Sequence, residues 1–336
     1  IAAGGTGGHI FPSLSIINEI KVGNFIVITD QRGETYFNRF LNKKVINFKI
    51  FIHNVSSPSN KVMLNKIKSS YLFFISILKS IILIIKNKPQ IVVGFGGYPS
   101  VAPVLAAKLL KIPSIIHEQN ATLGRANKFL GNVANFVALS FIETKNIYRV
   151  KKSIFTGNPV RQEFNNIGKL KYSSPTKENK INILIVGGSL GASFFSKHLT
   201  TIICSLPIEL RKNLKIVQQV KKEEIKEVKK NYRTYEIDCE IRSFYQNIYQ
   251  KFKSAHLVIT RSGGSSVAEI LASNRPVIFV PFPESLDDHQ SQNAKFIQQT
   301  EVLTRYHEKM CRRGITPDLA KAIMRTNTTA IAAVMV

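Results

Sequence analysis

Four glycine-rich turns are the part of this chain best suited to chemistry: residues 4–9 (GGTGGH), 94–98 (GFGGY), 187–191 (GGSLG) and 261–266 (RSGGSS). Glycine tolerates positive φ angles and lets backbone N–H groups approach an anion, and a helix that begins after such a turn adds about half a positive charge. A diphosphate is the ligand that fits such turns. One glycine turn is weak support, because any α/β protein needs tight turns, whereas four together indicate phosphate binding.

The spacing of these glycines excludes two common nucleotide-binding motifs. A dinucleotide-binding GxGxxG loop needs a third glycine where this chain has Ile10, although Asp30 follows a strand as a ribose-binding acid would. No turn has the GxxxxGK[ST] arrangement of Walker-type nucleotidases, so no lysine is placed to reach β- and γ-phosphates. The sequence therefore favours neither a dehydrogenase nor a Walker-type enzyme.

Three ionisable residues lie beside these turns or at a strand end. His9 ends the first turn, and its neutral imidazole could accept a proton near pH 7 or could simply orient the loop. Glu269 could bind a ligand, but Ser266 and Glu269 also have the spacing of a capping box worth about 1 kcal/mol to a helix. His117 is interpreted as a structural group. No DxD pair is placed to bridge phosphates through a metal, and we predict neither a tightly bound catalytic metal nor a cofactor.

Strand-like runs that alternate with helix-like runs must position these residues. The pattern predicts an α/β fold of βαβ units with parallel sheets. The predicted strands are Phe25–Thr29, Ile91–Val93, Ser114–His117, Val137–Leu139, Asn182–Val186, Lys215–Gln218, Leu257–Thr260 and Val277–Val280. A polar stretch at 171–180, after Gly157-Asn158-Pro159, predicts a junction between domains 1–160 and 161–314. Residues 315–336 form a C-terminal segment that either crosses back to the first domain or is aberrant. Because the chain opens at Ile1 just before a glycine turn, we expect most of a first strand to be missing.

The composition is that of a globular protein with anionic partners. The chain has 336 residues, 44% hydrophobic and 20% charged, which favours two domains. Its three cysteines lack CxxC spacing, so a reducing compartment is expected. The formal net charge is +26, which we ascribe to compositional drift and attraction to a membrane surface. No nucleic-acid-binding motif is recognisable, so no nucleic-acid partner is predicted.

The run Tyr71–Ile85 (YLFFISILKSIILII) is the most hydrophobic segment. About 15 residues at roughly 1.5 Å each reach only about 22 Å, and Lys79 interrupts them, so we do not expect the segment to span a bilayer of about 30 Å. Two alternatives stay open. The segment could be a buried core helix, or residues near 71–88 could form an interfacial helix whose lysines favour an anionic bilayer.

Seven motifs together resemble one bacterial glycosyltransferase family, the UDP-N-acetylglucosamine:N-acetylmuramyl-(pentapeptide) pyrophosphoryl-undecaprenol N-acetylglucosamine transferases, or MurG family. They are GGTGGHIFP (4–12), VGFGGYPS (93–100), IHEQN (116–120), TGNPVR (156–161), VGGSLGA (186–192), RSGGSSVAEI (261–270) and DDHQSQNA (287–294). Each motif alone is weak, but their shared order covers residues 1 to about 300. The resemblance implies a GT-B fold, in which two Rossmann-like domains with parallel sheets face an interdomain cleft.

The resemblance also implies an activity. GlcNAc would be transferred from UDP-GlcNAc, with inversion, to the muramyl 4-hydroxyl of the undecaprenyl-linked acceptor lipid I, giving lipid II for peptidoglycan. The enzyme would be a hexosyltransferase, a peripheral protein on the cytoplasmic face of the bacterial inner membrane. Its partners would be UDP-GlcNAc, lipid I and an anionic membrane surface.

Site roles follow residue by residue from the same resemblance. His9 is the candidate catalytic base. The donor-binding residues would be Thr6, Gly7, Gly8, Asn120, Arg161, Ser189, Phe244, Tyr245, Gly264, Ser265, Ser266, Glu269 and Gln290. The acceptor diphosphate would lie against Gly5, Gly7, Gly8, Gly96, Gly97 and Tyr98. Alternative functions are another GT-B enzyme that uses UDP-sugars, such as a diacylglycerol glucosyltransferase or a UDP-GlcNAc epimerase, and a decayed, non-catalytic nucleotide-sugar-binding protein.

Overall fold

The protein consists of two compact units, Ile1–Arg161 and Gln162–Val336. A computed structural model describes residues 1–20, 23–41, 47–53, 63–147, 150–176, 179–188, 193–282, 288–299 and 333–334. Both units combine β-strands, nearly all of them parallel, with helices in the connections, which is the arrangement that an alternating pattern of strands and helices predicts.

The described strands of the first unit form one parallel sheet. Its strands are β1 (Asn24–Thr29), β2 (Asn47–Ile52), β3 (Val92–Gly94), β4 (Ser114–Glu118), β5 (Phe136–Leu139) and β6 (Ser153–Phe155). β1 pairs with β2, and β3 to β6 pair in sequence order. Ala2 pairs with both Ile28 and Gly94 and so joins these two groups of strands. The strands lie in the order β2-β1-Ala2-β3-β4-β5-β6. From Ala2 the chain adds β1 and β2 on one side and then β3 to β6 on the other, so the order along the chain reverses between Ala2 and β3.

Five α-helices are described in the first unit. They are α1 (Gly7–Ile20), α2 (Gln31–Phe40), α3 (Met63–Asn87), α4 (Val101–Leu109) and α5 (Arg125–Leu130). A short 3-10 helix, Tyr98–Ser100, precedes α4. One hydrophobic cluster forms where α1 packs its fully buried Ile10 and Leu14 against Val27 of β1 and Phe37 of α2. This packing fixes where the first turn of α1 lies.

The second unit has a sheet of the order β12-β11-β10-β7-β8-β9. The strands are β7 (Ile181–Val186), β8 (Leu214–Gln219), β9 (Asp238–Arg242), β10 (Leu257–Thr260), β11 (Val277–Phe279) and β12 (Ala333–Val334). All pairs are parallel except that of β11 with β12. The chain order reverses between β7 and β10. The described part of the segment 315–336 thus pairs within the sheet of its own unit.

Seven α-helices are described in the second unit. They are α6 (Gln162–Gly168), α7 (Thr200–Cys204), α8 (Ile208–Lys212), α9 (Ile225–Thr234), α10 (Ile248–Ser254), α11 (Gly264–Ser273) and α12 (His289–Gln299). A π-helix, Phe195–Leu199, leads into α7. The central strands β7 and β10 contribute the fully buried side chains of Ile183 and Ile259 to the core. Strands buried on both faces read as continuous apolar runs, which is why sequence alone locates them.

All eight predicted strands are present, to within one residue at each end. The described strands that the sequence did not predict are β2, β6, β9 and β12. Every residue of β6 is exposed, and β9 carries three charged residues among five. Such strands at or near a sheet edge bury little apolar surface, so they lack the signal that marks the central strands.

The length argument for the hydrophobic segment was wrong, because the helix is longer than the apolar run. Helix α3 has 25 residues, or about 37 Å at 1.5 Å per residue. By length and composition, Ser69–Asn87 is able to cross a membrane, and 22% of its most apolar window is buried in the first unit. That this helix does not span a bilayer stays a prediction, and it now rests on the packing of α3 against the first unit and not on the length of the segment.

Candidate functional site

In each unit two glycine turns follow the strands at which the sheet order reverses. Turn 4–9 follows Ala2 and turn 94–98 begins at the end of β3, whereas Gly187 follows β7 and Arg261 follows β10. In open α/β sheets, ligands bind outside the carboxyl ends of the strands at such a reversal. The fold therefore places all four turns where a ligand is expected, two in each unit.

The two turns of the first unit are in close contact. A side chain at Gly4 would bring its Cβ to 2.6 Å from Cγ of Pro99, and one at Gly97 would bring it to 2.9 Å from the carbonyl oxygen of Gly4. Gly96 and Gly97 have φ angles of 86° and 72°, which disfavour other residues. Glycine is thus required by the close approach of these two turns. Thr6 is exposed, and its carbonyl oxygen accepts from the N–H groups of His9 and Ile10 in the first turn of α1.

Asp30 has a structural role in the first unit. Its carboxylate accepts a hydrogen bond from the N–H of Gly5 at 2.7 Å and another from the N–H of Gly33 at 2.8 Å. One carboxylate therefore caps α2 and holds the first glycine turn. These two hydrogen bonds give Asp30 a structural role that requires no ligand.

His9 lies in the first turn of α1 and contacts a chain of polar side chains at the end of β4. Its Nδ1 is 2.9 Å from Oε1 of Gln119. Nε2 of Gln119 is 3.0 Å from the carbonyl oxygen of Phe95 and 3.0 Å from Nδ1 of His117. His117 completes the chain with Nε2 at 3.1 Å from the carbonyl oxygen of Gly157. The candidate base is thus connected to buried polar groups of three different segments.

Glu118 shapes the loop that follows β4. The side chain is 1% exposed, and Oε1 accepts from both the backbone and side-chain N–H groups of Asn120 at 3.0 Å. Oε2 accepts from the N–H of Gly124 at 2.8 Å and from Nδ2 of Asn127 at 2.9 Å. These bonds hold Asn120, a predicted donor-binding residue, next to Gln119. A buried carboxylate with several donors is a satisfied structural anion.

Arg161 and Tyr98 complete the predicted residues of the first unit. The guanidinium of Arg161 lies 4.4 Å from the centre of the Phe11 ring on α1. Tyr98 begins the 3-10 helix that follows Gly97 and is partly buried. Most of the predicted residues of this unit lie within the two glycine turns. Asn120 lies just after β4, and Arg161 is the last residue of the unit.

In the second unit, α11 begins in a glycine turn and has no side-chain cap. Its N-cap is Gly263, which supplies no side-chain hydrogen bond, and Gly264, Ser265 and Ser266 form the first turn. The capping-box interpretation of Ser266 and Glu269 is therefore wrong, because the helix begins before Ser266. Both residues are partly buried on the helix. The first N–H groups of α11 have no side-chain acceptor from the cap residue and are available to an anion.

Gln290 is tied to the same turn. Its Oε1 accepts from the N–H of Phe282 at 3.0 Å, and its carbonyl oxygen accepts from the hydroxyl of Ser262 at 2.8 Å. Asn293, one turn further along α12, donates to the carbonyl oxygen of Ser262 at 2.9 Å. The start of α12 is therefore fixed against the residues that precede α11.

The remaining predicted donor-binding residues differ in what the structure shows. Phe244 is half-buried. Tyr245 is 6% exposed, and its hydroxyl donates to the carbonyl oxygen of Glu240 at 2.7 Å, while burial raises the pKa of the phenol. The Tyr245 hydroxyl is therefore engaged in the fold. Ser189 lies outside the described residues, but Gly188 before it has a φ of 65°.

Sequence reasoning assigned no role to Gln119 or Arg261. Arg261 is 5% exposed and donates from Nη1 to the carbonyl oxygens of Val280 and Pro281. Its Cζ lies within 5.3 Å of the centres of three phenylalanine rings. Burial lowers the pKa of its guanidinium to about 10. The only signal for either residue was its place directly after a buried strand.

Helix α3 carries apolar side chains on its exposed face. Five of them recur at helical spacing and are between 44% and 64% exposed: Tyr71, Phe74, Leu78, Ile82 and Ile85, here called the α3 stripe. The opposite face buries Ser69, Ser76, Ser80 and Ile84. Ser76 Oγ lies 3.1 Å from Nδ1 of His53, whose pKa is lowered by burial and by Lys79. Phe73, Ile81 and Ile84 pack into the core of the first unit, so α3 presents apolar side chains both to the core and to solvent, unlike an ordinary surface helix.

Comparison with known proteins identifies the family. Residues 1–139 match the glycosyltransferase family 28 N-terminal domain, and residues 182–330 match the family 28 C-terminal domain. A relative from Wolbachia pipientis subsp. Culex pipiens (strain wPip) is 39% identical over 302 residues, which cover 89% of this chain and 82% of the relative. That relative is named UDP-N-acetylglucosamine–N-acetylmuramyl-(pentapeptide) pyrophosphoryl-undecaprenol N-acetylglucosamine transferase. This chain belongs to the same transferase family, the MurG family.

Solved structures agree with the fold. A crystal structure of Acinetobacter baumannii MurG matches with a TM-score of 0.66 at 24% identity, covering 97% of this chain and 94% of that one. A UDP-GlcNAc 2-epimerase from Neisseria meningitidis, bound to UDP-GlcNAc, matches with a TM-score of 0.58 at 16% identity and covers 96% of both chains. The predicted α/β GT-B class, with parallel sheets in two units, is confirmed, as is the predicted family.

Proposed function

We propose that this protein transfers GlcNAc from UDP-GlcNAc to the muramyl 4-hydroxyl of undecaprenyl-pyrophosphoryl-MurNAc-pentapeptide, converting lipid I to lipid II with inversion. The protein is a hexosyltransferase of peptidoglycan synthesis. The observation that carries this proposal is 39% identity to a transferase of that name over 82% of its length. The site geometry of each unit fits one of the two pyrophosphates that the reaction involves.

The donor half of the proposal rests on the second unit. The uncapped start of α11 offers backbone N–H groups and the positive end of a helix dipole to the UDP diphosphate, at Gly264, Ser265 and Ser266. Glu269, one turn further on, accepts the ribose hydroxyls. The side-chain amide of Gln290, oriented through the N–H of Phe282, binds the hydroxyls of the GlcNAc ring. Ser189, Phe244 and Tyr245 are assigned to the same donor on family resemblance.

The acceptor half rests on the first unit. The pyrophosphate of lipid I binds backbone N–H groups at Gly5, Gly7, Gly8, Gly96 and Gly97, beside Tyr98. The positive φ angles of Gly96 and Gly97 and the start of α1 at Gly7 support this assignment, because they let backbone donors approach an anion. Thr6, Asn120 and Arg161 are assigned to the donor on family resemblance.

His9 is the proposed general base. Transfer requires removal of a proton from the acceptor hydroxyl, and a positioned base contributes about 10²- to 10⁴-fold to such steps. The imidazole of His9 adjoins the glycine turns assigned to the acceptor pyrophosphate and is partly exposed. Departing UDP is stabilised by the helix start in the second unit. No metal ion is assigned a role in this scheme.

The α3 stripe is the proposed membrane contact. An exposed apolar patch of this size and regularity marks an interaction surface, and the net charge of +26 favours an anionic one. Because the serine face of α3 packs into the first unit and bonds to His53, we assign the helix to the interface and not to a transmembrane position. This contact would hold the protein on the cytoplasmic face of the inner membrane, where the lipid-linked acceptor lies.

The activity is tested by incubating the protein with radiolabelled UDP-GlcNAc and a short-chain lipid I analogue. We expect a labelled lipid-linked disaccharide with a β-1,4 bond and stoichiometric release of UDP. Conversion of the donor to a 2-epimer without acceptor would identify an epimerase instead. Donor binding with neither product would identify a non-catalytic binding protein.

A further inference from the structure

Gln119 lies buried between two histidines, and the imidazole of His9 contacts it directly. The Gln119 side chain is 2% exposed, on the loop that follows β4. Its Oε1 is 2.9 Å from Nδ1 of His9. A primary amide donates only from nitrogen and accepts only at oxygen, so the orientation of this amide decides which nitrogen of His9 carries hydrogen.

Two backbone carbonyl groups fix the orientation of the amide. Nε2 of Gln119 lies 3.0 Å from the carbonyl oxygen of Phe95 and 3.1 Å from that of His117. A reversed amide would place Oε1 against both of these acceptors, with no hydrogen between them, in a buried site. The carbonyl oxygen of His117 also accepts from Nδ2 of Asn127, but that of Phe95 would lose this donor, and a buried group left unpaired costs about 1–3 kcal/mol. Oε1 must therefore point toward His9.

His117 is consistent with the same orientation. Its Nε2 is 3.1 Å from the carbonyl oxygen of Gly157, which can only accept, so Nε2 carries hydrogen. Burial lowers the pKa of His117, which favours the neutral ring. Nδ1 of a neutral ring with hydrogen on Nε2 is an acceptor, and it lies 3.0 Å from Nε2 of Gln119. The two hydrogens of the Gln119 amide therefore face three acceptors: one lies toward the carbonyl oxygen of Phe95, and the other is shared between Nδ1 and the carbonyl oxygen of His117.

We infer that Gln119 is a positioning residue that holds His9 as the Nδ1–H tautomer and leaves Nε2 free to accept the proton of the acceptor hydroxyl. Because Oε1 of Gln119 only accepts, Nδ1 of His9 must donate to it. The lone pair of the neutral ring is then on Nε2, which makes no hydrogen bond within the described residues. This inference rests on the proposed role of His9 as base.

The ring of His9 also has a fixed position on the first unit. A Cβ at Gly96 would lie 3.1 Å from both Cε1 and Nδ1 of His9, and one at Gly97 would lie 3.5 Å from Cδ2. The imidazole therefore rests against the backbone of the second glycine turn while Gln119 holds one of its nitrogens. Together these contacts set both the position and the tautomer of the ring.

Nitrogen NMR of the histidine side chains tests the inference without measuring activity. The whole chain is labelled with 15N-histidine, studied at a pH where His9 is neutral, and His9 is assigned by the signal lost in His9→Ala. We expect hydrogen on Nδ1 in the wild type. In Gln119→Met, which keeps the size of the side chain but removes the acceptor, we expect the Nε2–H tautomer to become populated. Gln119→Glu keeps an oxygen acceptor toward Nδ1, although it loses the N–H groups that face the carbonyl oxygens of Phe95 and His117, and it should retain the wild-type tautomer.

Kinetics provide the second readout. Gln119→Met should lower kcat by at least about 10-fold with little change in the KM for UDP-GlcNAc, since a wrong tautomer of His9 removes a share of general-base catalysis. Gln119→Glu should recover part of this loss. Thermal unfolding of both variants controls for a merely structural effect. Hydrogen on Nε2 in the wild type, or an unchanged tautomer in Gln119→Met, overturns the inference. His9→Ala tests the base itself, so failure of that role is distinguished from failure of Gln119.

Discussion

The glycine turns of the two units differ in whether a side chain of the same unit is shown to accept hydrogen bonds from their backbone N–H groups. In the first unit, side chains engage the turns: Asp30 accepts from Gly5, and Gln119 contacts His9. In the second unit, the N-cap of α11 is Gly263, which supplies no side-chain hydrogen bond. This difference supports the proposal that the first unit positions the catalytic base and that the second unit offers backbone donors to a diphosphate.

The largest expected effect is the loss of the positioned group in the first unit. His9→Ala should lower kcat by at least about 10²-fold, because general-base help is lost, with a smaller effect on the KM for UDP-GlcNAc. Steady-state kinetics with a lipid I analogue measure it. His198→Ala, at an exposed histidine of the second unit, is the matched control and should be near normal. Near-normal turnover of His9→Ala would assign the base elsewhere.

A second prediction concerns the open site of the second unit. Glu269→Gln should weaken donor binding by about 10-fold or more, because a hydrogen bond to a charged acceptor contributes about 1.5–3 kcal/mol. Calorimetric titration with UDP and the KM for UDP-GlcNAc are the two readouts. Glu227→Gln, at an exposed residue of α9, should leave both unchanged. If UDP bound Glu269→Gln as tightly as the wild type, the ribose assignment would be wrong.

A third prediction separates the membrane contact from both sites. The double change Phe74→Ser and Ile82→Ser should reduce binding to anionic phospholipid vesicles by at least about 10-fold, since each buried side chain of this size contributes about 1.5–3 kcal/mol. Sedimentation with vesicles measures it. Ile208→Ser with Leu210→Ser removes two exposed apolar residues of α8 as the control. Equal losses in both double variants would show that no specific surface of α3 is involved.

The smallest expected effect is on stability at low pH. Burial lowers the pKa of His53, His117 and His256 from 6.5, so the unfolded chain binds protons more readily than the fold does. Their contribution to the free energy of unfolding is complete above pH about 6.5 and is lost as the pH falls below that value. Urea unfolding at several pH values measures the trend. His53→Gln should reduce the slope of the free energy of unfolding against pH, and His198→Gln should not. The same slope in the wild type and both variants would contradict the assignment.

The sequence predicted the parts of the fold whose signal is local and apolar. Val258 and Ile259 of β10 are buried on both faces, and the predicted bounds of that strand match the structure. Strand β6, with every residue exposed, gave no such signal and was missed. The bounds of the two domains stay a prediction, although the chain divides between Arg161 and Gln162.

The candidate site was predictable only to the level of the turns. Glycine spacing located the turns that follow the central strands, and family resemblance supplied the proposed roles of His9 and Glu269. The sequence could not reveal the contact of Gln119 with His9, because no spacing pattern connects a glutamine to a histidine 110 residues away. The same limit produced the capping-box error, since the start of α11 at Gly264 depends on the turn that precedes it.

Hydrogen exchange with UDP tests most directly whether the two units bind different pyrophosphates. Amide exchange is followed by mass spectrometry in peptides that cover residues 262–268 and 4–10, with and without saturating UDP. The account predicts slower exchange at the start of α11 and unchanged exchange in the first glycine turn. Protection of residues 4–10 with none at 262–268 would contradict it.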